Sequence, residues 1–497
     1  MKKEIQIIWF KRDLRTQDHA PLWTAAQNSI AALAIYVFEP EIMEAQDHSE
    51  RHLIFVCQSI RDLRKKLPIP LLLFFGRPEQ AFGFLQNSFT IKQVLSYQET
   101  GNRISFDRDK RVAHFFKSES IEWLEFPSNG VIRGIKNRKN WSTSWMETMK
   151  TLQFPVDLKL LVPVLDTIIV ENTISGEDLF LRHLEEIPGF QRGGESEAMR
   201  YMESFFEERY VNYIKHISKP AAARKGCSRL SPFLAYGNLS IRQIFQKALF
   251  LRYHGGKKRE LDFFIARLQW HCHFIQKFES ECEIEFTNLN KGFDDIRTEV
   301  NALWVDAWKR GMTGIPMVDA CMRCVVATGY LNFRMRSMLV SFLTHHLFQP
   351  WQSGVHHLAK AFLDYEPGIH FPQFQMQAGT MGVNTIRIYN PIKQGLEHDP
   401  EGEFIRMWVK ELSHLPPSLV HEPWKMSQLE QAFYNYQPGI TYPHPIVDVD
   451  SAAKTARESI WQKKKSKEVK ENNRAILQKH TKRSSEQESP LFPMRGE

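Results

Sequence analysis

The first 130 residues alternate short apolar runs with amphipathic stretches. Residues 5–10 (IQIIWF), 30–38, 71–76 and 93–97 have the length and apolar density of strands, and residues 21–28 and 49–67 have helical periodicity. Strands and helices alternating at this spacing predict βαβ units and a mainly parallel sheet. No Gly-x-Gly-x-x-Gly follows the first strand, so a Rossmann-like α/β domain without the dinucleotide loop is expected over 1–130. From 131 to 193 the period loosens and prolines recur, as in a long inter-domain connection ordered against a neighbour.

Helical periodicity then takes over. Residues 195–216, 240–253, 260–279, 301–309, 317–328, 331–349 and 356–365 read as helices, punctuated by Gly311, Gly314, Pro316, Gly329, Pro350 and Pro367. An all-α domain is expected over 194–445. The stretch 446–497 begins with a capping Asp450-Ser451 and an Ala-rich helix. It then turns Lys-rich and polar (QKKKSKEVKENNR), which reads as a solvated basic tail able to touch nucleic acid.

Composition adds limits rather than identity. A chain of 497 residues is too long for one core. Aromatic residues reach 12%, with 35 Phe and 12 Trp, enough to bury a flat conjugated cofactor or simply to fill a core. A net charge of +8 permits attraction to a phosphate backbone without demanding it. Six scattered cysteines form no disulfide framework. Cys321 and Cys324 lie in an apolar helical pattern with no second pair, which favours packed thiols over a metal site. The start runs straight into a strand, and no apolar run nears the ~20 residues that span a bilayer. A cytoplasmic protein with no membrane partner is expected.

Several blocks occur in a telling order. They are Trp9-Phe10-Lys11-Arg12-Asp13-Leu14-Arg15 with Asp18, then Gly193-Gly194-Glu195 with Ala198, then SRLSPFLAYG at 228–237. WKRGMTGIPMVDACMR at 308–323 and TGYLNFRMR at 328–336 follow, with Trp351, Arg387-Ile388-Tyr389-Asn390-Pro391, Phe404-Ile405-Arg406 and His421-Glu422-Pro423-Trp424. Together they resemble the photolyase/cryptochrome family. The resemblance implies an α/β domain followed by a helical domain holding FAD bent into a U.

It also implies roles for particular residues. Tyr213, Ser228, Arg229, Leu230, Ser231, Phe264, His271, Phe333, Arg336, Asp364, Glu366 and His370 would contact the cofactor. Hydroxyls and backbone N–H groups ahead of a helix, with Arg229, can hold a pyrophosphate, although S-R-L-S alone reads equally well as a helix cap. Arg336 would lie by the flavin with Asp364 as its partner, because a buried guanidinium needs an acceptor. Glu366 takes the place of a second carboxylate near the ring edge or ribose.

The chain departs from the family pattern in four places. His370 stands where most photolyases have an Asn facing flavin N5. Its ring can donate, accept and titrate near neutrality, or simply rest on a backbone carbonyl. Trp351 matches the middle of the family's tryptophan relay, but Phe374 is at the flavin-proximal position, Met376 replaces another Trp, and Thr298 is at the outer one. Trp304, Trp308, Tyr330 and Tyr389 leave other routes open. Arg267 replaces a carboxylate that binds the dimer, and His271 replaces an Arg. Phe264, Arg267, His271, Phe274 and Phe278 share one helical face, suited to nucleobase stacking and phosphate contact or to packing with snorkelled charges. Finally, Asn332 and Phe333 replace His and Asn.

Trp351, His370 and Phe374 are thus the implied residues of the photochemistry, and Arg267, Ser337 and Met376 those of the lesion. Tyr97-Gln98-Glu99 with Arg103, Arg108 and Asp109 is similar to a segment that contacts a folate antenna and also reads as a bare αβ loop, which leaves open a second chromophore, folate or another, beside FAD. The favoured function is light-driven repair of DNA bearing UV lesions by a monomer, with the organic chemistry carried by the flavin. The alternatives are a cryptochrome-type receptor without repair and a flavoprotein that uses only DNA binding or redox state.

Overall fold

The computed structural model describes residues 2–168 and 170–480; the part of the basic tail expected at 481–497 lies outside the described residues. Five parallel strands run β1 (Lys3–Phe10), β2 (Ala31–Phe38), β3 (Leu71–Phe75), β4 (Phe89–Tyr97) and β5 (Glu122–Phe126). They lie in the order β3-β2-β1-β4-β5, and a short β6 (Val162–Pro163) pairs with β2. Helices α1 (Ala20–Gln27), α2 (Glu50–Lys66), α3 (Pro78–Ser88) and α4 (Arg103–Ser118) make the crossovers.

Both faces of this sheet are covered, which is why its inner strands read as near-continuous apolar runs. Ile5, Ile7 and Trp9 enter one cluster with Leu33, Ile35 and Val37. Ile8 and Phe10 point the other way, with Ala32, Ala34 and Phe38. The edge strand β5 (EWLEF) carries Glu at two positions, and that charge hid it from a pattern search.

The stretch 131–193 holds more order than its sequence promised. Helix α5 (Trp141–Lys150) buries Trp141, Trp145 and Met149 on one face. Beyond it come α6 (Glu195–Glu207), α7 (Ile241–Tyr253), α8 (Lys258–Ser280), α9 (Pro316–Thr328), α10 (Phe333–Ser341), α11 (Gln352–Ala361) and α12 (Pro367–Ala378). Pro316 opens α9 and Gly329, at φ +70°, closes it. The single helix expected over 331–349 is α10 followed by one wide turn in which Leu347 N donates to Phe342 O at 2.9 Å.

The basic stretch is also structured as far as His480. Helix α13 (Val449–Lys464) buries Val449, Ala453, Ala456 and Ile460, and α14 (Lys467–His480) buries Val469 and Ile476. The lysines occupy the outer faces, and the sparse apolar positions between them are enough to dock both helices.

Sheet and helices share one core. A continuous cluster runs from Ile8, Phe10 and Phe38 through Phe55 to Phe205, Phe233 and Phe264. A second gathers Trp308, Met335, Trp351 and Phe371. Close approach of α12 to α8 depends on Gly368, where a Cβ would stand 2.9 Å from Ile275 Cα. Among the described residues no helix is long and apolar enough to cross a membrane.

Candidate cofactor-binding site

The loop after β1 joins the two domains. Arg12 Nε donates to Ala235 O at 2.8 Å, and its Nη2 lies 2.9 Å from Glu366 Oε2. Arg15 Nη1 donates to Gly237 O at 3.1 Å. Glu195, at the start of α6, accepts from Thr16 N and Oγ1 at 3.0 and 2.8 Å. Gly237 sits at φ +67°, and a Cβ there would meet Arg12 O at 2.2 Å, so only glycine permits this approach. The charged residues of the W-F-K-R-D-L-R block therefore clasp the domains together.

Beyond Glu366, α8, α10 and the loop before α12 bring His271, Arg336 and Asp364 together. Arg336 forms a two-pronged bond to Asp364, with Nη1 to Oδ1 and Nη2 to Oδ2 both at 2.9 Å. Its Nε donates to Leu331 O at 2.7 Å, and its face lies 4.0 Å from the Phe362 ring. Burial works to raise the Asp364 carboxyl, but Arg336 and the Ser231 hydroxyl outweigh it and hold it below the usual carboxylate range. His271, one wall away on α8, feels the Asp364 charge, yet burial pulls its imidazole down to about 4.

Both His271 ring nitrogens are shut from solvent without a partner, as is Asn332 Oδ1. The His271 residue as a whole is only half-buried; its carbons line open space while its nitrogens do not reach water. Unmet donors and acceptors beside a buried ion pair fit a ligand that is flat and polar at its edges, as a flavin is. Asn332, flagged in the sequence only as a replacement of the family's His, donates its Nδ2 to Ile217 O at 3.0 Å and leaves its Oδ1 unmet.

Other implied contacts have partners within the protein. Glu366 pairs with Arg12 and caps α12 by accepting from Gly368 N at 3.4 Å. Burial raises its carboxyl above the ordinary range despite Arg12. The Arg229 guanidinium lies 3.7 Å over the Tyr330 ring and donates to Gln191 Oε1 at 2.7 Å and Arg224 O at 3.2 Å. Its left-handed backbone (φ +59°) turns the chain into the short helix Ser231–Ala235. Ser231 is exposed, Ser228 half-buried and Leu230 buried. Tyr213 and Phe264 pack together at 5.4 Å, within a ring cluster that includes Phe205. Phe333 is 45% exposed at the start of α10, whereas Ser337 is buried. Arg267 lies over Phe263 at 4.5 Å. Met376 is half-buried on α12.

His370 is buried on α12. Its Nε2 donates to Val355 O at 2.8 Å. Burial takes its imidazole down to about 4. The ring touches Phe374 at 4.8 Å and Phe371 at 5.8 Å, and Phe371 meets Trp351 at 6.4 Å. Trp351 is buried, with Nε1 donating to Asn288 Oδ1 at 2.9 Å. Cys321 and Cys324 are buried thiols, and Cys324 Sγ approaches Tyr330 O at 3.5 Å.

A second hollow lies at the carboxyl ends of β1, β2 and β4. It is lined by Lys11, Arg12, Glu39, Glu99, Asn102 and Arg108, among others. Arg108 is held there by Glu39 and Glu99, and by Asp109 at 2.8 Å. Between β1 and β4 the strand order reverses, the point where open α/β sheets hold ligands. Arg103 is drawn away to Glu283 and to Glu285, which its backbone N–H reaches at 2.7 Å.

Residues 6–140 match a family model described as DNA photolyase, and residues 264–462 match the FAD binding domain of DNA photolyase. The chain belongs to the photolyase/cryptochrome family. A cryptochrome DASH of Gloeobacter violaceus is 26% identical, covering 93% of this chain and 96% of its own length. A deoxyribodipyrimidine photo-lyase of Alkalihalophilus pseudofirmus is also 26% identical, covering 91% and 97%. The crystal structure of an archaeal photolyase from Sulfolobus tokodaii, with two FAD molecules, superposes with a TM-score of 0.75 at 25% identity, covering 92% of this chain and all of that one. In this member of the photolyase/cryptochrome family the FAD-binding domain is the helical one, and the Arg336–Asp364 pair stands within its matched region.

Proposed function

We propose that this protein is a light-driven DNA-repair enzyme that splits pyrimidine photoproducts with FAD. The observation that carries it is the character of α8 and its surroundings. Arg267 over Phe263, the unpartnered His271 that feels the Asp364 charge, and the exposed Phe333 at the start of α10 supply one cation and several rings. Such a wall suits the two linked, flipped-out bases of a lesion and the phosphates next to them. When bound and reduced, FAD would supply an excited-state electron donor.

The chain's own residues do the rest. Arg336 and Asp364 would hold the ring's polar edge, His271 and Asn332 would meet its remaining donors and acceptors, and Phe374 with Phe371 would keep water out. His370, spending its proton on Val355 O, presents no cation to this space. Arg229 acts by shaping the turn before residues 231–235 rather than by reaching for a phosphate with its engaged side chain.

A receptor role without repair is favoured by one feature, Phe374 where an oxidisable ring would feed the flavin. The two readings separate in one assay. The FAD-loaded, reduced protein is illuminated with single- and double-stranded DNA carrying defined cyclobutane dimers or (6-4) products; repair predicts their loss, and their persistence in every case would sink it. Trp351 is the buried ring nearest to serving as internal donor, so photoreduction should fall at least several-fold in Trp351→Phe. Unchanged photoreduction would take Trp351 off the path.

We also infer that the hollow at the strand ends takes a second, light-harvesting chromophore. It sits at the sheet's switch point, with Arg108 and its carboxylates at the floor. An absorbance band beyond that of FAD in the purified protein, lost in a variant such as Ser105→Trp that fills the hollow, tests this. We place the reaction in the cytoplasm and take the working unit to be a monomer.

A further inference from the structure

The last turns of α8 meet the segment before α5 and the end of α14 in a cluster of basic side chains. His273, Lys277 and Glu281 follow at four-residue steps along α8 and its cap, so they stand in one row about 6 Å apart. Arg138 lies over the Trp141 ring at 4.9 Å and donates Nη2 to His273 Nδ1 at 2.9 Å. At the other end of the row, Lys479 Nζ and His480 Nε2 hold Glu281 Oε1 at 2.7 and 3.2 Å. Lys277 stands between these two contacts, buried, and makes no hydrogen bond among the described residues. Arg138 Nε and Nη1 and His480 Nδ1 are shut from solvent without a partner.

Burial pulls the Lys277 ammonium down to about 8, with Arg138 adding to the shift and Glu281 opposing it. Burial likewise draws Arg138 down to about 10. His273 is held far below its ordinary value by burial, then by Arg138, Lys277 and His480, so its ring is neutral and Nδ1 is free to accept from Arg138. Two buried cations therefore face each other, and the carboxylate beside them is already shared by Lys479 and His480. Unpaired buried charge is costly and persists where something compensates it. A neutral ligand leaves the charge standing and a metal ion adds to it. An anion offsets the charge and accepts from the unmet donors at once. A guanidinium edge beside an ammonium matches the oxygens of a tetrahedral oxyanion. The side chains of Lys479 and Glu281 are 38% and 29% exposed, whereas Arg138 and Lys277 are buried behind them. The way in thus favours a small free ion over a phosphate carried on a large group.

We propose that this cluster binds one inorganic phosphate ion, which accepts from Arg138 Nε and Nη1 and from the Lys277 ammonium. His480 supplies the selectivity. Its Nε2 faces Glu281 as donor, which leaves Nδ1 as an acceptor for the proton that phosphate keeps at neutral pH. The bound ion ties the segment before α5, α8 and α14 together, so the docking of α14 strengthens with phosphate concentration. The site is independent of the repair reading.

The FAD-loaded full chain is titrated calorimetrically with inorganic phosphate, with ionic strength held constant by chloride. One saturable site is expected. Lys277→Met, which keeps the length of the side chain and removes its charge, should weaken binding at least about tenfold, the scale of one charge-assisted hydrogen bond. Arg138→Gln should do the same. Melting gives a second reading: the wild type should gain about 2–3 °C at phosphate about a hundredfold above its Kd, and Lys277→Met should gain nothing. In chloride alone Lys277→Met should melt no lower than the wild type, because it removes an unpaired buried charge; lost binding in that variant is then not a damaged fold. A clear drop there would instead show Lys277 already satisfied within the protein and would sink the site. Sulfate, with no proton to give His480, and adenosine monophosphate, with a bulky ester group, should both bind more weakly than phosphate. Absence of a saturable site would overturn the proposal. So would equal affinity for sulfate or the nucleotide, or an equal gain in melting temperature in wild type and variants, the mark of a general salt effect.

Discussion

At the scale of single residues, the Arg336–Asp364 pair has the clearest energetic consequence. Replacing one partner of a buried, two-pronged pair strands the other charge, at a cost of about 3 kcal/mol. Asp364→Asn should therefore lose stability of that order in chemical denaturation and should purify with markedly less FAD than wild type. The pH behaviour has a definite sign. The Asp364 carboxyl is held below its ordinary value, so its contribution is complete at neutral pH and disappears only as pH falls below the ordinary carboxylate range. The buried histidines act earlier. His271, His346, His357 and His370 are each drawn down to about 4, and His52 to about 3, by burial first of all. In the unfolded chain each takes a proton near pH 6.5. Stability is thus full above that value and falls as pH drops from 6.5 toward 4, by on the order of 1–3 kcal/mol per ring. Melting temperature measured across this window should decline steeply, and His370→Gln should flatten the decline.

At the scale of elements, the sequence told different amounts for different reasons. The strands at 5–10, 30–38, 71–76 and 93–97 were legible because both sheet faces are buried and their apolar runs are unbroken. β5 was not, since an edge strand tolerates Glu122 and Glu125. Helix α14 was obscured by its lysines, although Val469 and Ile476 suffice to dock it. In the site, the facing of Arg336 and Asp364 followed from family blocks. The capture of Glu366 by Arg12 did not, because no local pattern links residues more than 350 positions apart. Neither did the stacking of Arg229 on Tyr330. The α8–α12 contact yields its own test. A methyl at Gly368 would press on the Ile275 backbone, so Gly368→Ala should destabilise by about 1–3 kcal/mol, read as a shift in the denaturant midpoint.

At the scale of the whole molecule, the sheet and the helices form one folding unit. The apolar cluster from Ile8 to Phe264 crosses the domain boundary, and the polar clasp of Arg12, Arg15 and Glu195 closes over it. Calorimetry should record a single transition rather than two. Arg12→Ala, which leaves the buried Glu366 without its cation, should lower that transition by several degrees while keeping it single. A resolved low-temperature shoulder in the wild type would contradict the shared core.

The same arginine has a thermodynamic consequence. Arg12 lines the hollow at the strand ends and also grips the residue that caps the helix bearing His370 and Phe374. Any occupant of that hollow that changes how Arg12 sits must change the free energy of the α12 cap. By reciprocity, whatever fixes α12 must alter the affinity of the hollow by the same factor. If the hollow and the flavin site each take a ligand, their affinities are linked through one guanidinium.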